Sequence, residues 1–321
     1  NNVYNRIIFI SAYNGVKKMK IGIIGLGDIA KKAYLPVLSE KEGIELVLCT
    51  RNQDTLNSLS KKYRIQEKVQ SVEELIMMGI DAAIVSTATE AHFEIAETLL
   101  RNGIHTYIDK PISMNIHETQ TIVKLAKEND KIAMVGFNRR FIPKVKELKE
   151  KGKANLIIMQ KNRFSAPDFV RRFVVEDFIH VVDTLRFLMD TEVKDVKVEY
   201  LKNGEMLEHL VITLIGEGCT VIGIMNRNSG VTEEIIEYMT GQDKYVVNSL
   251  VETTHYHNKE INISKFGDWE PTLYKRGFYQ LVDHFIDCVQ NNHPPEPSID
   301  DSLITHEICE KIVNYIDSSD E

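Results

Sequence analysis

A glycine-rich turn near residue 25 has the clearest chemical signature in the sequence. The stretch GLGDIA follows the apolar run KIGII and precedes a helical pattern, IAKKAYLPVLSEK. Glycine lets backbone N–H groups approach a pyrophosphate at a helix N-terminus, and a small third residue allows close packing of helix on strand. We therefore predict a dinucleotide-binding turn in preference to a purely structural one. Its residues are Gly25, Gly27, Asp28, Ile29 and Ala30.

The end of the second predicted strand, IELVLCT, bears on the choice of cofactor. An acidic residue at this point usually binds the ribose 2′-hydroxyl of NAD, whereas this sequence has Thr50, Arg51 and Asn52. Because a hydroxyl and a guanidinium suit a 2′-phosphate, NADP is the preferred cofactor and NAD the other choice. Alternatively, Arg51 is a solvated loop charge.

Lys110 ends another predicted strand, HTYID, and lies between Asp109 and Pro111. Ligands of open α/β sheets bind at this edge, and the proline keeps the preceding residue extended. A lysine beside a nicotinamide can exchange a hydroxyl proton while hydride moves. Taken alone, however, a lysine at a strand end is more often simply solvated.

The segment EDFIHVVDTLRFL places three polar groups on one predicted helix. At about 100° per residue, Glu176, His180 and Asp183 fall within an arc of roughly 60°. Two carboxylates and an imidazole on one face suit acid/base work and hydroxyl binding. The alternative is an amphipathic helix whose polar face contacts water.

His255 and His257 are two residues apart on a predicted strand and therefore point to the same side. No third ligand is apparent near them in the sequence, and a metal site needs at least three. We expect surface residues and no metal.

Strands and helices alternate from residue 19 to residue 138, which predicts a doubly wound parallel α/β domain. From residue 139 to residue 321 long alternating runs meet at hairpin signals, which predicts a mostly antiparallel sheet with accompanying helices. Residues 1–18 resemble neither a signal peptide nor a helix. We expect a non-native or disordered extension there, with the natural start at Met19.

Composition narrows the class of protein. The chain has 321 residues with 39 basic and 47 acidic side chains, a formal net charge of −8, and no basic stripe. This balance disfavours nucleic acid as a partner. No apolar run approaches the roughly 20 residues that span a bilayer. The four cysteines lack paired spacing and indicate reduced thiols in a cytoplasmic protein.

Taken together, the motifs resemble those of the Gfo/Idh/MocA family, named after glucose-fructose oxidoreductase and inositol dehydrogenase. The set is GxGxxA, then acid-Lys-Pro, then acid-xxx-His-xx-Asp, and it covers residues 19–321. GFNRRF at 136–141 and GDWEPTLYKRGF at 267–278 are similar to its MviM-like branch. The resemblance implies a Rossmann domain, a second α/β domain with a large open sheet, and a dimer or tetramer. It also implies NAD(P)-linked hydride transfer on a sugar, a polyol or a related small molecule.

Matched position by position, the resemblance makes Lys110, Glu176 and His180 catalytic, with Glu176 orienting His180. Lys110 and Asp183 would bind substrate. Thr87, His92, Asp109 and Lys110 would border the cofactor. Three positions differ from the family's pattern. This sequence has Asp109 where the family has Glu, Glu176 where it has Asp, and Ala88 where it has Pro. The alternative function is a non-catalytic NAD(P)-binding regulator with the same fold.

Overall fold

The computed structural model describes residues 18–319, in which a six-stranded sheet forms the first half. Its strands are β1 (Met19–Ile24), β2 (Ile44–Cys49), β3 (Glu67–Val69), β4 (Ala82–Val85), β5 (His105–Ile108) and β6 (Ala133–Val135). All pairs are parallel, in the order β3-β2-β1-β4-β5-β6. This is the strand order of a Rossmann fold, so the predicted architecture is confirmed. The prediction for residues 1–17 lies outside the described residues.

Helices connect these strands. They are α1 (Leu35–Leu38), α2 (Gln53–Tyr63), α3 (Val72–Met77), α4 (His92–Arg101) and α5 (Ile116–Glu128). A π-helical stretch, Ala30–Tyr34, leads directly into α1. Because only residues 25–27 separate β1 from the first helical turn, this helix begins at the carboxyl edge of the sheet.

The second half contains the larger sheet. Its strands are β7 (Leu156–Asn162), β8 (Asp168–Phe169), β9 (Asp195–Asn203), β10 (Met206–Ile215), β11 (Thr220–Asn226), β12 (Glu233–Met239), β13 (Asp243–Asn248), β14 (Glu252–His257) and β15 (Glu260–Lys265). Its helices are α6 (Pro143–Lys149), α7 (Val170–Arg172), α8 (Ile179–Met189), α9 (Thr272–Lys275), α10 (Phe278–Asn291) and α11 (Ile299–Ser318). A π-helical stretch, Phe173–Phe178, joins α7 to α8.

Eight strands of this sheet follow one another in the order β15-β14-β13-β12-β7-β11-β10-β8, and β9 pairs with β10. Only β7 and β11 are parallel among the described pairs, so the predicted mostly antiparallel sheet is confirmed. Burial alternates along β10, β11 and β12. One face is therefore covered, with α8 packed on β7 and β11, and the other face is more open.

The last two long helices pack against both halves of the chain. Leu281 and Phe285 of α10 join the hydrophobic core of the first sheet, where Phe285 contacts Tyr107 edge-on. Helix α11 packs against α5 and α8. The division at residues 138 and 139 stays a prediction. Between residues 18 and 319, no helix combines the length and the apolar character needed to cross a bilayer.

Candidate active site

The turn after β1 has the geometry expected of a nucleotide cradle. Gly25 has a φ of +85°, and a Cβ there would lie 2.6 Å from the backbone nitrogen of Thr87. Only glycine fits this position without strain. A Cβ built on Gly27 meets no atom within 4 Å, so this residue opens into free space. Ala30 is fully buried, as a small packing residue should be.

The free space at Gly27 is part of a cleft of about 920 Å³ along the carboxyl edge of the first sheet. The cleft collects residues from the β1 turn, the end of β2 and the loop after β4. Among its lining residues are seven predicted to bind cofactor: Gly25, Gly27, Asp28, Ile29, Thr50, Arg51 and Thr87. The other predicted residues, Ala30, His92, Asp109 and Lys110, are not in its lining.

Two observations indicate that this cleft fits a dinucleotide. The buried hydroxyl of Thr87 has no hydrogen-bond partner within residues 18–319. Gly27 immediately precedes the first helical turn, where unpaired backbone N–H groups favour an anion. A phosphate-bearing ligand would supply both the missing partner and the negative charge.

The rim of the cleft carries charges of both signs. Arg51 is exposed there, and its backbone carbonyl accepts a hydrogen bond from Gln70 Nε2 at 2.9 Å. Thr50 lies beside it, and Glu73 lines the same cleft. The rim therefore offers a guanidinium for a 2′-phosphate and, nearby, a carboxylate that would repel one.

His92 clamps two loops instead of lining the cleft. Its side chain is buried, with Nδ1 2.7 Å from the carbonyl of Pro111 and Nε2 3.2 Å from the carbonyl of Thr87. The imidazole thereby ties the cleft loop after β4 to the loop after β5. Its contribution to a cofactor site is indirect.

Asp109 belongs to a buried tyrosine pair. Its Oδ1 accepts a hydrogen bond of 2.8 Å from the Tyr34 hydroxyl, which lies 3.0 Å from the Tyr107 hydroxyl. Burial and the nearby Asp109 charge raise the pKa of both tyrosines well above the usual value. A Cβ on Gly136 would lie 2.6 Å from the Tyr107 hydroxyl. The carboxylate thus holds the strand ends and the first helix together.

Lys110 links the two halves of the molecule. Its Nζ donates a hydrogen bond of 2.8 Å to the backbone carbonyl of Glu176, on the π-helical stretch before α8. Lys110 is half-buried, at the point where the first sheet meets the helix that covers the second. An ammonium group is therefore fixed at this junction.

The expectation that Glu176 orients His180 is not supported by their placement. Residues 173–178 form a π-helical turn in place of the α-helical geometry that the predicted arc assumed. The Glu176 carboxylate pairs with Arg172, with 3.5 Å between Oε2 and Nε. What Glu176 gives the site is its backbone carbonyl.

His180 is buried and contacts a residue that the sequence analysis did not assign. Arg139 Nη1 lies 3.1 Å from His180 Nε2. Because a guanidinium only donates, Nε2 accepts and the ring proton is on Nδ1. That Nδ1 atom has no hydrogen-bond partner in the described part of the chain. Burial, followed by the charges of Arg139 and Lys110, lowers the pKa of His180 well below its usual value, so the ring is neutral.

Arg139 is held in turn by a second unassigned residue, Glu234. The Nε and Nη2 atoms of Arg139 donate hydrogen bonds to the two carboxylate oxygens of Glu234, at 3.0 and 3.1 Å. Burial raises the pKa of Glu234, but Arg139 outweighs this effect and the net pKa is lowered. The sequence did contain a signal, because Arg139 belongs to the GFNRRF stretch. Glu234 lies 95 residues further along, and no local pattern connects the two.

A further ion cluster borders His180. Asp177 pairs with Lys161 and with Arg163, whose Nη2 lies 2.9 Å from Oδ1. Burial lowers the pKa of Lys161 to about 8, because Asp177 offsets only part of the desolvation. Burial raises the pKa of Asp177, but hydrogen bonds and charge from Arg163 and Lys161 reverse the shift. Sequence reasoning missed these cations because Lys161 lies near the end of β7 and Arg163 directly after it, outside the motifs.

Asp183 lies in a different environment from the one predicted. Its oxygens accept hydrogen bonds from Arg140 at 2.9 and 2.6 Å and from Thr305 at 3.1 Å, and it is 1% exposed. Arg140 also pairs with Asp301 at 2.7 Å. Since Asp183 already neutralises the buried guanidinium of Arg140, we do not propose it as a substrate ligand.

This combination of fold and site defines a class of protein, the two-domain oxidoreductases with a Rossmann fold. Residues 19–137 match the oxidoreductase family with an NAD-binding Rossmann fold, and residues 143–258 match the YceM-like C-terminal domain. The chain belongs to the Gfo/Idh/MocA family of oxidoreductases, as its motifs indicated.

Several relatives cover nearly the whole chain. YceM of Salmonella typhimurium is 32% identical over 92% of this chain and 98% of its own. A Gfo/Idh/MocA oxidoreductase from Vibrio cholerae has a solved structure with a TM-score of 0.89, 30% identity, and 94% and 99% of the two chains covered. The myo-inositol 2-dehydrogenase of Thermotoga maritima is 24% identical, over 88% of this chain and 92% of that protein.

Proposed function

We propose that this oxidoreductase transfers hydride between a nicotinamide dinucleotide and a carbon atom of a polyhydroxylated small molecule. The observation that carries the proposal is the position of Lys110, whose ammonium lies 2.8 Å from the Glu176 carbonyl at the junction of the two halves. A substrate in that junction would contact the lysine, which lies at the same carboxyl edge of the first sheet as the glycine turn. The relative from Thermotoga maritima, a myo-inositol 2-dehydrogenase, supports a polyol substrate.

Each proposed role follows from a named atom. A bound nicotinamide would supply the hydride acceptor or donor. In the reduction direction the Lys110 ammonium gives a proton to the substrate oxygen, and in the oxidation direction the neutral Lys110 amine takes the hydroxyl proton. The Glu176 carbonyl keeps Nζ in position. His180 stays neutral and offers its Nδ1–H to a substrate oxygen, while Arg139 fixes the ring through Nε2. Arg139 acts through His180 and is a positioning residue.

We propose NADP as the preferred cofactor, with Arg51 and Thr50 contacting the 2′-phosphate. Replacing Arg51 by Ala should weaken NADP by roughly 1.5 to 3 kcal/mol, the range for a charge-assisted hydrogen bond, and leave NAD nearly unchanged. Titration calorimetry with each cofactor measures both affinities. Arg101→Ala, at an exposed helix arginine paired with Glu97, is the matched control. Equal losses for both cofactors would contradict the assignment.

The chemistry is tested at Lys110. Lys110→Met should still bind cofactor, because the cradle is backbone, but lose about 10² to 10⁴-fold in turnover, as expected for general acid/base catalysis. The assay follows reduced nicotinamide absorbance with sugars, polyols and aldehydes. Lys124→Met, at an exposed lysine of α5, is the control. Retained turnover in Lys110→Met would overturn the role, and cofactor binding without turnover in the wild type would support the regulator instead.

Assembly and location belong to the same proposal. The more open face of the second sheet is the surface on which we expect copies of this chain to meet as a dimer or tetramer, and sedimentation would measure the oligomer. The four cysteines are free and buried, in keeping with the proposed cytoplasmic location.

A further inference from the structure

Three side chains that can ligate a metal meet on the outer strands of the second sheet. The Nε2 atom of His255 lies 2.7 Å from Asp243 Oδ1, and the Nδ1 atom of His257 lies 2.9 Å from the same oxygen. Asp243 is the first residue of β13. Asn248, at the other end of β13, lies next to the end of β12 that carries Glu234. The cluster is therefore separate from the candidate active site.

The third potential ligand was not apparent from the sequence for a topological reason. His255 and His257 are on β14, whereas Asp243 is on the neighbouring strand β13. The antiparallel register pairs Asp243 directly with His257. The ring and the carboxylate therefore share one face of the sheet, although 14 residues separate them along the chain.

We propose that Asp243, His255 and His257 bind a divalent transition-metal cation of the zinc class. Imidazole nitrogen with one carboxylate suits Zn²⁺, Ni²⁺, Cu²⁺ or Fe²⁺, whereas Mg²⁺ and Ca²⁺ prefer oxygen ligands. Bonds of about 2.0 to 2.1 Å at tetrahedral angles separate ligand atoms by roughly 3.3 Å. Opening the two observed separations by about half an ångström would admit the ion.

The backbone and an aromatic ring hold the ligands in place. His255 stacks on Tyr245, with ring centroids 4.4 Å apart and an interplanar angle of 8°. The backbone nitrogen of Asp243 donates to Thr240 Oγ1 at 3.1 Å within the preceding turn. The three ligand side chains are 24 to 42% exposed, so an ion and its waters have access.

Two polar residues of the neighbouring strand lie on the same face as the cluster. Strand β15 pairs Glu260 with His257 and Asn262 with His255. Both residues occupy the same face as the cluster, because directly opposed residues project to the same side. The Glu260 carboxylate or a water would complete four-coordination.

The carboxylate of Asp243 is held in the form that binds a cation. Hydrogen bonds from His255 and His257 lower the pKa of Asp243, which keeps the carboxylate in its ligating form. Binding moves the ring proton of each neutral imidazole to its other nitrogen.

The test is zinc titration of the full chain after treatment with a chelator. Calorimetry should find one strong site per chain in the wild type. Loss of a residue that only supports a ligand costs 10 to 100-fold in affinity, so His255→Gln and Asp243→Asn should each cost about 100-fold or more. His293→Gln is the matched control, because His293 is partly exposed, like the cluster histidines, and lies 2.7 Å from a single carboxylate, that of Asp287.

A second measurement separates binding from folding. Zinc should raise the unfolding temperature of the wild type and of His293→Gln, but not of the two ligand variants. Without zinc, the melting curves show whether the variants fold. Absence of strong binding in the wild type, undiminished binding in folded His255→Gln and Asp243→Asn, or loss of binding in His293→Gln would each overturn the proposal.

Discussion

The cradle at Gly27 can be tested by adding one methyl group at two neighbouring positions. Gly27→Ala places a Cβ in space that holds no atom within 4 Å, whereas Gly25→Ala places one 2.6 Å from the Thr87 backbone nitrogen. The first substitution leaves the protein's own packing unchanged and occupies the ligand's space. The second forces the turn itself to move. The pair therefore distinguishes cofactor contact from structural need.

The two substitutions should differ in their effects on the free energy of unfolding and on cofactor affinity. Gly27→Ala should change the free energy of unfolding by less than about 1 kcal/mol, since the position is open and its φ is not positive. It should nevertheless weaken cofactor binding by about tenfold or more, or at least ~1.4 kcal/mol. Gly25→Ala should cost roughly 1 to 2 kcal/mol for the positive φ and a further 1 to 3 kcal/mol for overpacking against a main chain that cannot rotate away.

Urea unfolding gives the stabilities, and calorimetric titration with NADP and NAD gives the affinities. Gly43→Ala is the control, because Gly43 has a φ of +76° but no atom within 4 Å of its Cβ position. Gly43→Ala should lower the free energy of unfolding only by the cost of backbone strain, and its affinity for cofactor should equal that of the wild type. Wild-type affinity for both cofactors in Gly27→Ala would refute the assignment of this cleft.

Three further predictions concern the buried polar groups. Asp183→Asn should lower the free energy of unfolding by about 3 kcal/mol, since it removes one of the two carboxylates that pair with buried Arg140, and a raised KM at unchanged stability would instead indicate substrate contact. The pKa of His306 is lowered to about 4, chiefly by burial, so the unfolded chain takes up this proton first as pH falls below about 6.5. The free energy of unfolding of the wild type should therefore decrease by about 2 kcal/mol between pH 7 and pH 5 because of His306, and His306→Gln should lack this decrease. Urea unfolding at both pH values measures it. Glu176→Gln should keep turnover within a few-fold because the carbonyl that binds Lys110 is retained, and a hundredfold loss in the steady-state assay would restore a role for the carboxylate.

Local sequence patterns determined the first half of the molecule. The glycine turn, the alternation of strands and helices, and the break in pattern after residue 138 are all features of neighbouring residues. Each depends on interactions within one element or between an element and its adjoining turn, and the side-chain period reveals these directly. The short strand β3 was missed, since three partly exposed residues provide too little periodicity.

Tertiary packing decided which polar groups meet. Glu176 and His180 were expected to act together, but Glu176 contacts Arg172 within a π-helical turn and His180 contacts Arg139. Burial of that turn against the core, with Phe173 and Phe178 fully enclosed, is not visible in a 3.6-residue pattern. The orientation of a side chain after such a turn therefore had to come from the structure.

Partners far apart in sequence were likewise beyond prediction from motifs. Arg139 meets Glu234 and Asp183 meets Thr305 only because separate elements pack together. The sequence determined the chemical types available and their local spacing. The structure decided which charges neutralise one another and which remain free for chemistry, because desolvation and non-local contacts exist only once the chain is folded.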